Sequence, residues 1–423
     1  MRPIIGMLVL FTLGGALGAR ADDAPPIPAP GPLAAPRPSN QTGAPPEQAL
    51  PIPPDNPQTP EKIALGEKLF FDGRLSADGT VACATCHEPE RAFTDGKPTS
   101  IGIHAGIGQR NAPTVLNALF NKTQFWDGRA KSLEDQAALV IVNPIEMGQP
   151  SVDAAVNAVS SIPEYKDLFQ RVFGRPPNAT DLLRAIASYE RSLLSFDSSF
   201  DRFIAGDKTA ISDSAKRGWA LFNGRALCNR CHAFSEKKPN LTSFTDDDFH
   251  NIGIGILRHD VVPLAKQAEQ LVASGDAPSL DRAAIQSDFT ALGRYLITRK
   301  PADIAAFKTP NLRNVLMTAP YFHDGSQQTL WDVIDHYNKG DGLRDHGLRD
   351  PYLDADIQPL ALHENEIDDL VAFLASLTSR EYEAQGAREL ERQRALARVH
   401  RPQRDTARAF GPRPPRAKAD GAR

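Results

Sequence analysis

All four cysteines of this 423-residue chain fall in two copies of one pattern, Cys83-Ala84-Thr85-Cys86-His87 and Cys228-Asn229-Arg230-Cys231-His232. Two cysteines one turn apart, followed at once by a histidine, form the attachment signature of c-type haem. Two thioethers hold the porphyrin to one turn of chain, and the next residue is set beneath the iron as its axial ligand. A zinc site or a redox dithiol also uses Cys-x-x-Cys, but neither needs a histidine directly after both pairs. The expectation is two covalent haems, one on Cys83, Cys86 and His87, the other on Cys228, Cys231 and His232. Four cysteines are too few for a disulfide-stapled scaffold.

The rest of the chain separates by composition. Arg2, the apolar stretch Ile4 to Leu17 and the small-x-small triplet Ala19-Arg20-Ala21 read as an export signal over residues 1–21, cleaved near Ala21. That stretch is short for a bilayer, so the protein is expected in the periplasm rather than spanning a membrane; an uncleaved anchor is the alternative. Export suits the motif, since c-type haem is attached outside the cytoplasm. Residues 22–58 are rich in Pro and Ala and read as an extended linker. Residues 381–423, where Arg, Ala and Pro dominate, read as a basic disordered tail, with docking to an acidic partner as the alternative. A net charge of −4 gives no reason to expect nucleic acid as a partner.

Between these ends the pattern is helical. Thr59-Pro60-Glu61 supplies a capping hydroxyl, a proline at the first helical position and an acid in the first turn. Apolar residues at spacings of three and four predict helices over Asp181 to Phe196, Ala215 to Phe222, Leu330 to Tyr337 and Glu364 to Leu377. Long loops rich in Gly, Asn and Pro lie between them, as they do around a large ligand. The fold expected is all-α, two tandem cytochrome c-like haem domains over residues 59–200 and 201–380.

Longer motifs carry a resemblance. Leu69-Phe70-Phe71-Asp72-x-Arg74-Leu75-Ser76, Arg110-Asn111-Ala112-Pro113-Thr114, Phe125-Trp126-Asp127-Gly128-Arg129 and Asn143-Pro144-x-Glu146-Met147-Gly148 are similar to segments of the bacterial di-haem cytochrome c peroxidase and MauG family. So are Phe307-Lys308-Thr309-Pro310-x-Leu312-Arg313-Asn314 and Ala319-Pro320-Tyr321-Phe322-His323-Asp324-Gly325. The resemblance runs from about Pro60 to Leu377. It implies that the haem on His87 is peroxidatic, that the haem on His232 transfers electrons, and that Trp126 lies between them. It implies that Gln136 and Glu146 flank the open iron face. Splitting a peroxide O–O bond needs a base for one proton and an acid for the departing oxygen, and one carboxyl can do both. It also implies a calcium site between the domains, from Asn111 and the carbonyls of Thr318 and Pro320; such oxygen donors suit a hard cation.

The second axial ligand separates branches of the family: methionine in its peroxidases, tyrosine in MauG-type members. Here the matching place is Tyr337. Leu330, Val333, Ile334 and Tyr337 share one helical face, while His336 sits about 100° away; His336, Met317 or no ligand are the alternatives. Phenolate is a hard anionic donor that favours ferric iron and lowers its potential relative to methionine. His104 lies near the place where the family's peroxidases keep a histidine that caps the resting iron, one residue out of register. His250 and His323 are expected in structural or propionate contacts. The function expected is a peroxidase reducing hydrogen peroxide with a small electron-donor protein. The alternatives are a MauG-like enzyme oxidising residues of a protein partner, or a di-haem electron carrier. MauG's surface tryptophan before the second motif falls at Ala226 here.

Overall fold

The computed structural model describes residues 50–237, 242–254, 261–274, 288–340 and 350–400. The expected export signal, residues 22–49 of the linker and residues 401–423 of the tail lie outside the described residues. Seven helices frame the sites: α1 (Pro60–Phe70), α2 (Leu133–Val142), α3 (Ala179–Ser192), α4 (Asp213–Phe222), α5 (Leu330–Lys339), α6 (Glu364–Ala375) and α7 (Glu383–His400). Thr59 caps α1 as its sequence predicts, its side chain accepting from Lys62 N. The helix α3 stops at Ser192, short of the expected Phe196.

The same helical unit occurs twice. In α1, a Cβ on Gly66 would stand 1.9 Å from the carbonyl oxygen of Ala185 in α3; in α4, one on Gly218 would stand 1.9 Å from the carbonyl oxygen of Asp369 in α6. Each pair therefore crosses backbone on backbone, a contact only glycine permits. Four residues beyond each glycine comes a buried phenylalanine, Phe70 or Phe222. Their rings lie 6.4 Å from His87 and 6.5 Å from His232. One apolar core gathers Leu65, Phe70, Phe169 and Ile186; a second gathers Phe200, Phe222, Ile367 and Phe373. Truncating a buried phenylalanine of this kind to alanine costs about 3–5 kcal/mol. A smaller core holds Val261, Leu292 and Tyr295.

The loops repeat as well. Asn117 and Asn314, Phe125 and Phe322, and Gly128 and Gly325 all have positive φ, between 59° and 69°. The same chain spacing separates each pair. The two copies meet about a local twofold: Asn111 N donates to His323 O at 2.8 Å, and Lys308 N donates to Trp126 O at 2.7 Å. The only named strands among the described residues are β1 (Phe249–His250) and β2 (Phe307–Lys308), antiparallel to one another.

Two compositional expectations are corrected. Residues 383–400 form the helix α7 rather than disordered chain, with Gly386, Gln393 and Ala397 buried. Acids interleave with the arginines there, so that Glu389 pairs with Arg392 and Glu391 with Arg394 one turn on; net charge alone hides this. The linker, too, ends before residue 58. Asn56 is 1% exposed and donates to Glu134 at 2.7 Å and to Arg184 O at 3.0 Å. Among the described residues no helix is long and apolar enough to cross a membrane.

Candidate active site

Each Cys-x-x-Cys-His motif opens onto a cavity. The first, about 580 Å³, is lined by Cys83, Cys86 and His87 together with Gln136, Val140, Glu146, Ile186 and Glu190. The second, about 260 Å³, is lined by Cys228, Cys231 and His232 together with Leu330, Val333, Ile334 and Tyr337. The histidines suit an axial role. His87 Nδ1 lies 3.0 Å from Phe93 O, and His232 Nδ1 lies 2.8 Å from Phe244 O. A carbonyl there makes Nδ1 the protonated nitrogen, leaving the Nε2 lone pair for a metal. Burial lowers both imidazole pKa values and keeps the rings neutral. Burial also pushes the thiols up, to about 11 at Cys86 and about 12 at Cys228. Zinc ligation or dithiol exchange needs the opposite shift. Thioether-linked cysteines carry no such charge, so the residues fit c-type haem.

Glu146 stands on the turn after α2, held from outside by the Gly102 loop. Ile103 N donates to Glu146 O at 3.0 Å, and a Cβ on Gly102 would meet Ile145 O at 1.9 Å. Its Oε2 is buried without a hydrogen-bond partner. Burial raises the carboxyl to about 7, against the opposing pull of Arg129 and Asn143. Gln136 lines the same cavity from α2. His104 does not: its side chain is 77% exposed, 3.6 Å from Asp78, and outside the lining.

In the second cavity the whole predicted face of α5 is turned inward, from Leu330 to Tyr337. Burial pushes the Tyr337 phenol well above its ordinary value. His336 instead engages Ile252 O through Nε2 at 2.8 Å, and Met317 packs against the first core. The loop repeat pairs α5 with α2. Leu133, Gln136, Ala137 and Val140 line the first cavity as Leu330, Val333, Ile334 and Tyr337 line the second, so Val140 occupies the place of Tyr337.

Trp126 lines both cavities, with Nε1 donating to Asn111 O at 2.9 Å. Its repeat partner His323 stands 6.5 Å away and stacks on Phe307 at 3.5 Å. Asn111, Thr318 and Pro320 line the second cavity together. His250 sits between Asp354 at 2.7 Å and Asp246 at 3.0 Å. Ala226 is 4% exposed and lines the second cavity, so no surface aromatic stands there.

Three buried ionisable groups in the cavity walls were given no role by the sequence reading. Arg110 is held down to about 10 and Lys308 to about 8, both by burial. Glu190 is raised by burial to about 8, and its Oε2 has no hydrogen-bond partner. An acid one turn after Ile186 on an apolar face was the available signal for Glu190.

The family profile described as di-haem cytochrome c peroxidase matches residues 60–209. The chain is 40% identical to the methylamine utilization protein MauG of Methylorubrum extorquens, over 78% of this chain and 82% of that one. It is 38% identical to the cytochrome-c peroxidase IdrP1 of a Pseudomonas species, over 78% and 84%. The crystal structure of a MauG-like protein associated with microbial copper homeostasis superposes with a TM-score of 0.63 at 30% identity, covering 78% of this chain and 93% of that one. With two Cys-x-x-Cys-His cavities built from one repeated unit, the chain belongs to the di-haem cytochrome c peroxidase family, as an oxidoreductase of the peroxidase class with two c-type haems.

Proposed function

We propose that the protein is a periplasmic peroxidase that reduces hydrogen peroxide in the His87 cavity and shares the oxidising equivalents through Trp126 with the His232 haem. The observation that carries this is Glu146. A buried carboxyl with one unpartnered oxygen, balanced near neutral pH and facing the His87 cavity, is what proton shuttling between peroxide oxygens requires. The overall change is H2O2 plus two protons and two electrons giving two waters; the electrons are what the two haems would supply when bound. As carboxylate, Glu146 takes the proton of the near oxygen; as acid, it returns that proton to the departing one. Gln136 orients the peroxide by hydrogen bonding.

The pairing of Val140 with Tyr337 supports a division of labour. An aliphatic side chain cannot ligate iron, so Val140 would leave a haem held by His87 with one face for peroxide. Tyr337, lining the other cavity, would offer a haem held there an anionic donor, a ligation that would lower the potential. Trp126, shared by both cavities, is the short route between them. A calcium ion on Asn111 Oδ1 and the carbonyls of Thr318 and Pro320 would brace this junction. His104, exposed beside Asp78, would leave an iron on His87 uncapped at rest.

Optical and EPR spectra of the ferric protein, before and after one equivalent of peroxide, test this. A high-spin haem beside a low-spin one, with a prompt response to peroxide, is expected. Two low-spin haems indifferent to peroxide would overturn it. The likeness to MauG together with Tyr337 favours one second reading, oxidation of residues on a protein partner. A mass change in that partner would distinguish it from turnover with a small electron-donor protein.

A further inference from the structure

The C-terminal helix α7 packs against the wall of the second cavity, and one of its side chains bonds directly to two segments of that wall. Gln393 is 0% exposed. Its Oε1 accepts from Leu330 N at 2.9 Å, while its Nε2 lies 3.1 Å from Leu316 O, 2.9 Å from the Tyr321 hydroxyl and 2.8 Å from Glu389 Oε1. The amide has only one satisfactory orientation, because Leu330 N can only donate and Leu316 O can only accept. Leu330 opens α5, the helix that carries Tyr337, and Leu316 and Tyr321 flank the Thr318–Pro320 loop. A single buried amide thus ties together two segments of the second cavity's wall.

We infer that α7 is a strap that sets the axial-ligand helix of the second haem, with Gln393 as a positioning residue for Tyr337. The inference rests on the reading of Tyr337 as an iron ligand. Helix N-termini leave their first N–H groups without intrahelical partners. At α5 the start is sealed from water, since Thr329 is 0% exposed. Thr329 Oγ1 satisfies Asp332 N at 3.1 Å, which leaves Leu330 N to Gln393. The far end of α7 is tied to the same turn, with His400 Nδ1 3.2 Å from Asp332 Oδ2.

Geometry makes this anchor matter for the iron. Tyr337 lies seven residues along α5, about 10 Å at 1.5 Å per residue. A tilt of about 6° at the start moves an atom there by about 1 Å, whereas metal–ligand distances tolerate about 0.2 Å. The paired helix α2 presents Val140 and is fastened instead by the Arg191–Glu134 ion pair, with two contacts of 2.7 Å.

The test is Gln393→Met in the full-length, haem-loaded protein, a change of similar length that removes every hydrogen bond. Ferric EPR and the reduction potential of each haem are read beside a thermal melt. The expected result is a ligand-off, high-spin fraction of the His232 haem raised roughly five- to tenfold, the effect of one net hydrogen bond, with a higher potential for that haem and no change at the His87 haem. Gln393→Asn, which keeps the amide but shortens its reach, should give a smaller shift of the same sign and stands in if the methionine variant does not fold. Glu391→Gln, an exposed site on the same helix, should change neither signal. A lowered melting temperature with unchanged spectra and potentials would overturn the inference. Tyr337→Phe separates the two ideas: if it leaves the His232 signal unaltered the ligand reading fails, and if only Tyr337→Phe alters it the strap fails alone.

Discussion

Replacing Glu146 by glutamine should weaken the enzyme and strengthen the fold, and the two effects should diverge with pH. Burial lifts the carboxyl from its ordinary 4.5 to about 7. Each factor of ten in proton affinity is worth about 1.4 kcal/mol. Because the folded value lies above the unfolded one, the cost of Glu146 is absent below pH 4.5 and grows as pH rises. It is complete only above about 7. Linkage gives a penalty of about 1 kcal/mol at pH 5 and about 3 kcal/mol at pH 8. The residue is partly exposed although Oε2 is occluded, so screening trims the difference to about 2 kcal/mol. Glutamine mimics the neutral acid and escapes this penalty. Denaturant unfolding at pH 5 and pH 8 should therefore show Glu146→Gln gaining about 2 kcal/mol more at the higher pH, with turnover reduced about 10²- to 10⁴-fold. In the parent protein kcat/KM should rise as pH passes about 7, where the base form appears, and the variant should lose that limb. An equal stability gain at both pH values would refute the argument, since it would mean that the carboxyl is solvated and never holds a proton at neutrality.

The other predictions concern ligation and packing. Tyr337→Phe should convert the low-spin His232 haem to high-spin and raise its potential, read by EPR and spectroelectrochemistry. Val140→Tyr should do the reverse at the His87 haem, giving a six-coordinate low-spin signal and at least about a 100-fold loss of peroxide turnover; an unchanged high-spin signal would break the equivalence of α2 and α5. Gly218→Ala drives a methyl into the carbonyl of Asp369 and should cost about 2–3 kcal/mol in denaturant unfolding, despite the better helix propensity of alanine.

Why some of this was legible in the sequence and some was not follows from the range of each interaction. Haem attachment is local: five adjacent residues carry it, and the structure adds only the carbonyls of Phe93 and Phe244 that orient the rings. The face of α5 was legible for the same reason, since a period of 3.6 residues fixes which side chains share a side. Glu146 was found through its motif, but its balance near pH 7 comes from burial by parts of the chain distant in sequence. Glu190 and Lys308 place ionisable groups in apolar walls, which hydrophobic patterning cannot anticipate. The tail was misread because composition averages over a helix whose buried face is small and polar, Gly386, Gln393 and Ala397, with its charges paired one turn apart. The repeat is the deeper lesson. Gly66 with Phe70 before the first motif, and Gly218 with Phe222 before the second, are too short a pattern to stand out alone; it is the equally spaced loop pairs Asn117 and Asn314, Phe125 and Phe322, Gly128 and Gly325 that set Val140 against Tyr337. On the proposed reading, two copies of one haem-binding unit become an open site and a closed one through changes at a few paired wall positions, Gln136 against Val333 and Val140 against Tyr337, and the strap through Gln393 falls on the copy where ligand geometry has to be held.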